Sequence, residues 1–221
     1  MANTPEARLV DSLALPRAPW VNGAGFTREI GIGPPGVNPE DYLWRLSLAD
    51  LDRTADFSAL PGVDRIFTLA SPGPLAIRIE GLQTELKQGD GLKFAGESRV
   101  EADLLAAGPQ LGLNLMTRRG KGHGRVNTEW RNGRVFLDPG AGAIAATVLA
   151  GEARTSDGRR MPPLATLLLG SVVEDLQSEG CLLATVFVDP ARPEKCFPAS
   201  SPAHSPGAAA ECRQSVSGPV Q

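Results

Sequence analysis

The sequence predicts an all-β protein, a sandwich or a barrel of short strands. Apolar residues alternate with polar ones at a period of two in several short segments, which is typical of half-buried strands. The 221 residues include 25 glycines and 19 prolines, a content that favours turns over long helices. Because no segment carries a sustained apolar stripe at helical spacing, we expect few short helical turns, near residues 103–106 and 163–168.

The strands follow from this alternation in chain order. Apolar and polar residues alternate in Leu43–Ala49, in Leu75–Glu80 and in Gln110–Arg118. Further strands are predicted over Arg65–Ala70, Ala143–Ala150, Ala165–Leu169 and Cys181–Val188. The segments between them have the composition of turns: PGV at 61–63, SPGP at 71–74, QGDG at 88–91, RNGR at 131–134, DPGAG at 138–142, SDGR at 156–159 and SEG at 178–180.

The chain divides into three parts by composition. The glycine-rich segment RGKGHGRV at 119–126 predicts a hinge between residues 1–120 and 121–189. The second part is short for an independent barrel, which leaves room for the N-terminal segment to cross over and complete it. Residues 190–221 are rich in Pro, Ala and Ser, and they bury too little apolar surface to offset the entropy of ordering. We therefore predict a disordered tail there.

Charge and composition exclude several classes of protein. The net charge of −3 argues against binding to nucleic acid through a basic face. No apolar run approaches the roughly 20 residues that span a membrane. An odd number of cysteines and an N-terminus without an apolar signal segment indicate a cytoplasmic protein with reduced thiols. With only His123 and His204 and no Cys-x-x-Cys pair, we expect no metal and no cofactor.

Polar residues cluster at several points in the predicted strands and loops. The loop PWVNGAGFTREI at 19–30 carries Asn22 and Thr27, and the alternative is a glycine-rich loop in which Trp20 plugs the end of a barrel. Arg45 and Ser47 share one strand face, which points either to solvent or into a barrel lumen, where a guanidinium would recognise a carboxylate.

Two further strands add candidates to this set. Arg65 begins a strand after a Pro-Gly turn, and the alternative is a weak surface pair with Asp64. Asn114 and Arg118 share a strand face, and the alternative is an edge strand with its polar residues outward. A Ser-His-Asp site would have to use His123 from a glycine-flanked loop, and no carboxylates are paired for acid–base catalysis, so the catalytic residues stay unknown.

Taken together, the polar blocks resemble the HutD/Ves family. The blocks PWVNGAGFTREI, YLWRLSLADL, DFSALPGVDRIFTL, LKFAGE, AAGP and LNLMTRRG occur in the order and spacing of that family, over roughly Leu9 to Arg119. Two departures are visible: Ala24 replaces the middle glycine of the first block, and Ala95-Gly96-Glu97 replaces Pro-Gly-Asp. The C-terminal half matches in strand pattern only.

The resemblance implies a bicupin, that is, two cupin-like β-barrels packed together, without the metal-binding histidines of most cupins. It also implies a protein that binds a small anionic metabolite, such as urocanate or formylglutamate, and modulates histidine utilisation. The ligand-binding candidates carried over from the matching blocks are Asn22, Thr27, Arg45, Ser47, Arg65, Asn114 and Arg118.

Two other functions remain as alternatives. Whether the protein forms a homodimer is also left open by the sequence. The first is a metal-independent isomerase or hydrolase with a carboxylate such as Glu29 as its base. The second is a stress-related protein that acts through partner contacts, with the tail as its docking segment. A carboxylate with a raised pKa inside the pocket would favour an enzyme, whereas a lining of arginines and neutral polar groups would favour an anion binder.

Overall fold

The computed structural model describes residues 6–20 and 23–191, and these residues confirm the all-β prediction. They form seventeen strands and one turn of 3₁₀ helix, Pro139–Ala141. The strands are β1 (Arg8–Asp11), β2 (Ala18–Pro19), β3 (Gly25–Gly33), β4 (Trp44–Leu51), β5 (Ala55–Asp56), β6 (Val63–Leu69), β7 (Leu75–Ile79), β8 (Leu82–Leu86), β9 (Gly91–Ala95), β10 (Val100–Leu104), β11 (Gln110–Arg118), β12 (Gly122–Leu137), β13 (Ala143–Ala150), β14 (Ala153–Thr155), β15 (Arg160–Met161), β16 (Ala165–Leu168) and β17 (Glu174–Pro190).

The described strands form three antiparallel sheets. Six strands make one sheet in the order β2-β3-β4-β11-β6-β9, and four make a second in the order β5-β10-β7-β8. The third sheet has seven strands, in the order β1-β16-β13-β17-β14-β15, with β12 also paired to β17. The first strand therefore joins the sheet that the second half of the chain builds. The predicted tail lies outside the described residues from position 192 onward.

The six-stranded sheet is buried on both faces, and each face has its own core. On one face Leu46, Leu48 and Leu115 pack against residues of the seven-stranded sheet such as Val186. The opposite face packs, in a barrel-like arrangement, against the four-stranded sheet around Phe67. Because side chains alternate between the two faces of a strand, the residues between these leucines point toward the second core.

Gly112 shows how tightly this second core is packed. A Cβ built on Gly112 would lie 2.0 Å from the Phe67 ring, so only glycine leaves room for that aromatic side chain in the neighbouring strand. Phe67 is fully buried and packs edge-on against Phe57 with 5.5 Å between the ring centroids. The glycine at this position therefore belongs to the packing of the sheet and not to a turn.

The largest departure from the predicted elements concerns β12 and β17. RNGR and SEG are predicted turns, but the structure places them opposite each other inside one long ladder of 16- and 17-residue strands. The register shifts between Arg131 and Gly133, which marks a β-bulge. Gly133 and Gly180 have φ values of +86° and +72°, which glycine adopts without strain. Turn-forming residues here bend a continuous ladder.

Two smaller expectations are also corrected. A turn at 119–121 precedes β12 within the segment predicted as a hinge, and His123 lies in that strand, paired with Asp189, and not in a loop. The segments at 103–106 and 163–168 form no helix, because β10 extends to Leu104 and β16 begins at Ala165. Within the described part of the chain, no helix has the length and apolar character needed to cross a membrane.

Candidate functional site

A cavity of about 270 Å³ opens beside the six-stranded sheet. Its floor is the face of β4, β11 and β6 that points away from the seven-stranded sheet, and its sides come from β2, β3 and the segment between β5 and β6. The residues that line it are Pro19, Trp20, Thr27, Arg45, Phe57, Ser58, Leu60, Arg65, Asn114 and Met116.

Strand register brings the polar residues of the floor together. Arg45 on β4 lies opposite Met116 on β11, and Met116 lies opposite Arg65 on β6. One step along the same face, Ser47 lies opposite Asn114. Antiparallel neighbours on one face have Cβ atoms roughly 5 Å apart, so the alternation seen in the sequence places these side chains in one patch.

Arg65 is the most unusual of these residues, because its guanidinium is buried with no counter-charge among the described residues. The residue is 5% exposed, and its guanidinium lies 4.8 Å from the Phe57 ring centroid and 5.3 Å from that of Phe94. Nη1 donates to the Ser58 carbonyl at 3.4 Å, but Nε has no partner among the described residues. Burial lowers the pKa of Arg65 to about 10, against a small opposing effect of Tyr42, so Arg65 is still charged at neutral pH.

Two neutral polar groups beside Arg65 are also unsatisfied. Ser47 and Asn114 are both buried, and Ser47 Oγ and Asn114 Oδ1 have no hydrogen-bond partner in the part of the chain that the structure describes. Asn114 lines the cavity, and Ser47 is its cross-strand neighbour. A buried polar atom without a partner costs about 1–3 kcal/mol, so groups of this kind call for a ligand or an ordered water.

Thr27 and Trp20 form one side of the cavity. The Trp20 indole Nε1 donates to Thr27 Oγ1 at 2.9 Å, and the ring packs edge-on against Phe57 with centroids 5.6 Å apart. The loop that holds Trp20 needs its glycines: Gly23 has a φ of +63°, and a Cβ on Gly25 would lie 2.5 Å from the Asp50 carbonyl oxygen. Thr27 therefore orients the indole and also lines the cavity.

Arg45 lies at the exposed side of the same cavity. Its Nε donates to Glu29 Oε2 at 2.9 Å, and the two side chains are 33% and 49% exposed. Arg45 thus lines the cavity and also has a counter-charge, which neither of the two predicted alternatives anticipates. Such a partly exposed pair contributes little stability, so Arg45 is free to exchange Glu29 for another carboxylate.

One predicted residue in the described part of the chain, Arg118, is not brought to the cavity. Arg118 continues the same strand face one step beyond Met116, but its Nη2 donates to the Glu40 carbonyl at 2.5 Å and its guanidinium stacks over Tyr42 at 4.8 Å. These contacts hold Arg118 at the end of β11, away from the cavity lining. Asn22 lies outside the described residues.

Phe57 and Ser58 also line the cavity, although no sequence pattern pointed to them as site residues. Both lie in the segment before β6 that leads into a Pro-Gly turn, and such a turn by itself indicates only a boundary between strands. Their position in the block FSALPG just before Arg65 is the signal that could have identified them.

The described lining of the cavity holds two arginines, neutral polar groups and apolar side chains, but no Asp, Glu or His. Within the described ranges, no three side chains of the types His, Cys, Asp and Glu come together in a group that could hold a metal ion. The chemistry available in the lining is therefore that of anion recognition, with hydrogen bonds from guanidinium, amide and hydroxyl groups.

Comparisons with known proteins agree with this architecture. Protein Ves of Citrobacter koseri is 34% identical over 142 residues, which are 60% of this chain and 73% of that protein. An uncharacterized 21.2 kDa protein in the hutC 3′ region of Pseudomonas putida is 35% identical over 101 residues, 45% of this chain and 53% of that protein.

Solved structures share the fold across most of the chain. A conserved protein of unknown function from Pseudomonas aeruginosa PAO1 has a TM-score of 0.70 at 24% identity, covering 84% of this chain and all of that one. HutD from Pseudomonas fluorescens SBW25, in a formate condition, has a TM-score of 0.67 at 25% identity, and the match covers 83% of this chain and 98% of that one. A cupin 2 conserved barrel domain protein from Leptotrichia buccalis has a TM-score of 0.50 at 14% identity, and the match covers 85% of this chain and 92% of that one. The fold is therefore cupin-like.

The model of the HutD family matches residues 13–176. This range spans the cavity-lining strands and most of the seven-stranded sheet, and it confirms the resemblance drawn from the polar blocks. Because the match covers well over half of the chain, this protein belongs to the HutD family.

Proposed function

We propose that the cavity binds a small carboxylate metabolite, such as urocanate or formylglutamate, and that binding lets the protein modulate histidine utilisation in the cytoplasm. The observation that carries this proposal is the buried Arg65 guanidinium, which faces the cavity with an unpartnered Nε. A guanidinium removed from water is costly unless an anion compensates it, and a carboxylate matches its fork of donors.

The other lining residues support a ligand with a flat apolar body. Trp20, Phe57 and Met116 offer apolar surface on the walls, while Asn114 adds a polar group at the floor. Small-molecule sites commonly combine an apolar lining with a few polar groups that fix the orientation of the ligand. Urocanate and formylglutamate are small carboxylates of the kind that such a cavity accommodates.

The composition of the lining favours binding over acid–base catalysis. Arginines and neutral polar groups surround the cavity, and among its described residues no carboxylate is available as a general base. Glu29, the base considered from the sequence, is engaged with Arg45 at the exposed side. The link to histidine utilisation rests on membership of the HutD family and on the relative from the hutC 3′ region.

We also propose that the chain is a bicupin. The six- and four-stranded sheets, built from residues 18–118, correspond to the first barrel. The seven-stranded sheet, built from β1 and from residues 122–190, corresponds to the second. This assignment is supported by the separate apolar cluster around Val148 and Leu167 in the seven-stranded sheet.

The test is a thermal-shift screen with urocanate, formylglutamate, histidine, glutamate and formate, followed by calorimetry with the carboxylate that raises the Tm most. We expect Arg65→Met to weaken that binding by roughly 10- to 150-fold, because a charge-assisted hydrogen bond contributes about 1.5–3 kcal/mol. Arg99→Met, at an exposed position outside the cavity, is the matched control and should bind like the wild type. Equal affinity of the wild type and Arg65→Met would refute the proposal.

A further inference from the structure

The strand β12 leaves one long edge of the seven-stranded sheet without a partner strand. β12 pairs with β17 from Gly122 to Leu137, and among the described residues it pairs with no strand on its other side. A free strand edge presents unpaired N–H and C=O groups, and it is a ready template for an added strand. Native proteins protect such edges with prolines, short strands, charged side chains or bulges. Residues 122–137 form a long strand without proline, its charges are of both signs, and its bulge at Arg131–Gly133 leaves residues 122–130 as a regular edge.

The side chains along this edge are exposed and of mixed character. Arg125, Asn127 and Glu129 lie on one face of the strand, and all three are exposed. On the other face Gly124 precedes Trp130, which is 66% exposed although it is a large apolar residue. An exposed tryptophan on an unpaired edge is a feature of interaction surfaces.

We propose that a second copy of this chain pairs antiparallel with β12, about a two-fold axis that passes through Asn127. In that register Arg125 of each copy lies opposite Glu129 of the other, so two cross-strand ion pairs form on one face. On the other face Trp130 of each copy lies opposite Gly124 of the other. The sequence of the strand is therefore complementary to itself.

Neighbouring registers are less favourable. A two-fold edge pairing places one residue opposite itself, and moving the axis by one residue to Thr128 sets Arg125 opposite Arg131 in both directions. Moving it to Glu129 sets that carboxylate opposite its own copy. With the axis at Val126, Arg125 lies opposite Asn127 and loses Glu129 as its partner. Because like charges directly opposite each other destabilise a sheet and opposite charges stabilise it, the charges favour the axis at Asn127 among these registers.

The glycine in this strand fits the same register. A Cβ on Gly124 would lie 2.8 Å from the Leu115 side chain, so the packing of β12 over β11 requires glycine there. Because Gly124 has no side chain of its own, the indole of Trp130 of the second copy meets no side chain on the residue that the register sets opposite it.

Contacts within its own chain orient Arg125 for the ion pair with Glu129 of the second copy. Its guanidinium lies 3.9 Å from the Phe187 ring centroid, which holds it flat against the outer face of the ladder. Glu129 accepts a hydrogen bond from Arg131 at 2.5 Å, and a carboxylate has further lone pairs for a second guanidinium. The ion pair across the axis would therefore form without breaking these contacts.

The test measures the mass of the full chain in solution by light scattering and its dimer dissociation constant by analytical ultracentrifugation. We expect a dimer, and we expect Arg125→Glu and Glu129→Arg each to raise the dissociation constant at least about tenfold, since each puts like charges opposite each other twice. The double variant restores both pairs with reversed sign, so it should recover the dimer. Arg99→Glu, at an exposed position just before β10, is the control.

A cysteine at the axis tests the register itself. In a background with Cys196→Ser and Cys212→Ser, Asn127→Cys brings two thiols directly opposite each other, so mild oxidation should give a disulfide-linked dimer. Asn132→Cys, which the register sets opposite Gly122, should not cross-link. A monomeric wild type, a dimer insensitive to both charge reversals, or a double variant that stays dissociated would overturn the proposal, and so would cross-linking at Asn132 but not at Asn127.

Discussion

The six-stranded and the seven-stranded sheets both bury polar side chains, but they treat them differently. In the seven-stranded sheet Thr166 Oγ1 lies 2.8 Å from Thr147 Oγ1 and 3.1 Å from Ser12 Oγ, so three buried hydroxyls satisfy one another. In the six-stranded sheet Ser47, Arg65 and Asn114 each keep an atom without a partner, next to a cavity. Both sets are almost completely buried.

The difference separates a structural role from a binding role. A closed network of hydroxyls adds to the stability of the fold and leaves no group for a ligand. Polar groups without partners lower the stability of the protein when the cavity is empty, and a ligand that supplies the missing hydrogen-bond partners restores that stability. Burial of polar side chains alone therefore does not indicate a binding site. Buried polar atoms that lack a partner and lie beside a cavity do indicate a candidate binding site.

The largest effect on stability should come from breaking the closed network. Thr166→Val keeps the shape of the side chain but removes the shared hydroxyl, which leaves Ser12 and Thr147 without that partner. We expect the free energy of unfolding in urea to fall by about 1–3 kcal/mol. Thr84→Val, at an exposed position in β8, is the matched control and should change it by less than about 0.5 kcal/mol. A loss no larger than that of Thr84→Val would contradict the comparison.

The next largest effect is expected on carboxylate binding, from substitution of Arg45 at the exposed side of the cavity. Arg45→Ala should weaken carboxylate binding roughly tenfold, measured by calorimetry, because the cavity loses one charged donor. Arg45→Lys should recover part of the affinity, since an ammonium lacks the planar fork of a guanidinium. The loss should stay below that of Arg65→Met, because Arg45 is partly exposed and already has Glu29 as a partner. An affinity unchanged in both Arg45 variants would restrict the site to the buried residues.

The smallest change, and one of opposite sign, should come from Ser47→Ala. Its hydroxyl has no partner among the described residues, so removing it should leave the free energy of unfolding unchanged or raise it by up to about 1 kcal/mol. The same substitution at Ser178, whose Oγ donates to the Arg131 carbonyl at 2.8 Å, should cost about 1 kcal/mol or more. Equal costs at the two positions would show that Ser47 has a structural role, and the distinction between the two sheets would then not hold for that residue.

The sequence predicts the fold best where a strand packs against a core. The alternation in β4, β7 and β11 locates these strands to within two residues, because one face must be apolar wherever a core packs against it. The alternation does not give the bounds of β12 and β17, because Gly133 and Gly180 are residues typical of the ends of strands. A bulge and a turn use the same residue, and only long-range pairing decides between them.

The site is predictable in part for the same reason. Arg45, Arg65 and Asn114 follow from strand alternation together with the family blocks, and they line one cavity. The distinction between Arg65 and Arg118 does not follow, because it depends on the neighbours of each guanidinium. Arg118 has the Glu40 carbonyl and Tyr42 beside it, and both belong to the connection between β3 and β4, whose path the strand pattern does not predict.

The pairing of β1 with β16 delays the folding of the first strand while the chain is being synthesised. Arg8 lies opposite Leu168 and Asp11 lies opposite Ala165, so the two strands are separated by more than 150 residues of chain. At roughly 5–20 residues per second, a ribosome needs on the order of 10–30 s to make the chain between them. β1 has no partner strand until β16 is made, whereas the last strand of the six-stranded sheet, β11, is complete at Arg118, well before that point. The edge of β16 stays open for as long as β1 is held elsewhere, for instance by a chaperone or by a bulky N-terminal fusion.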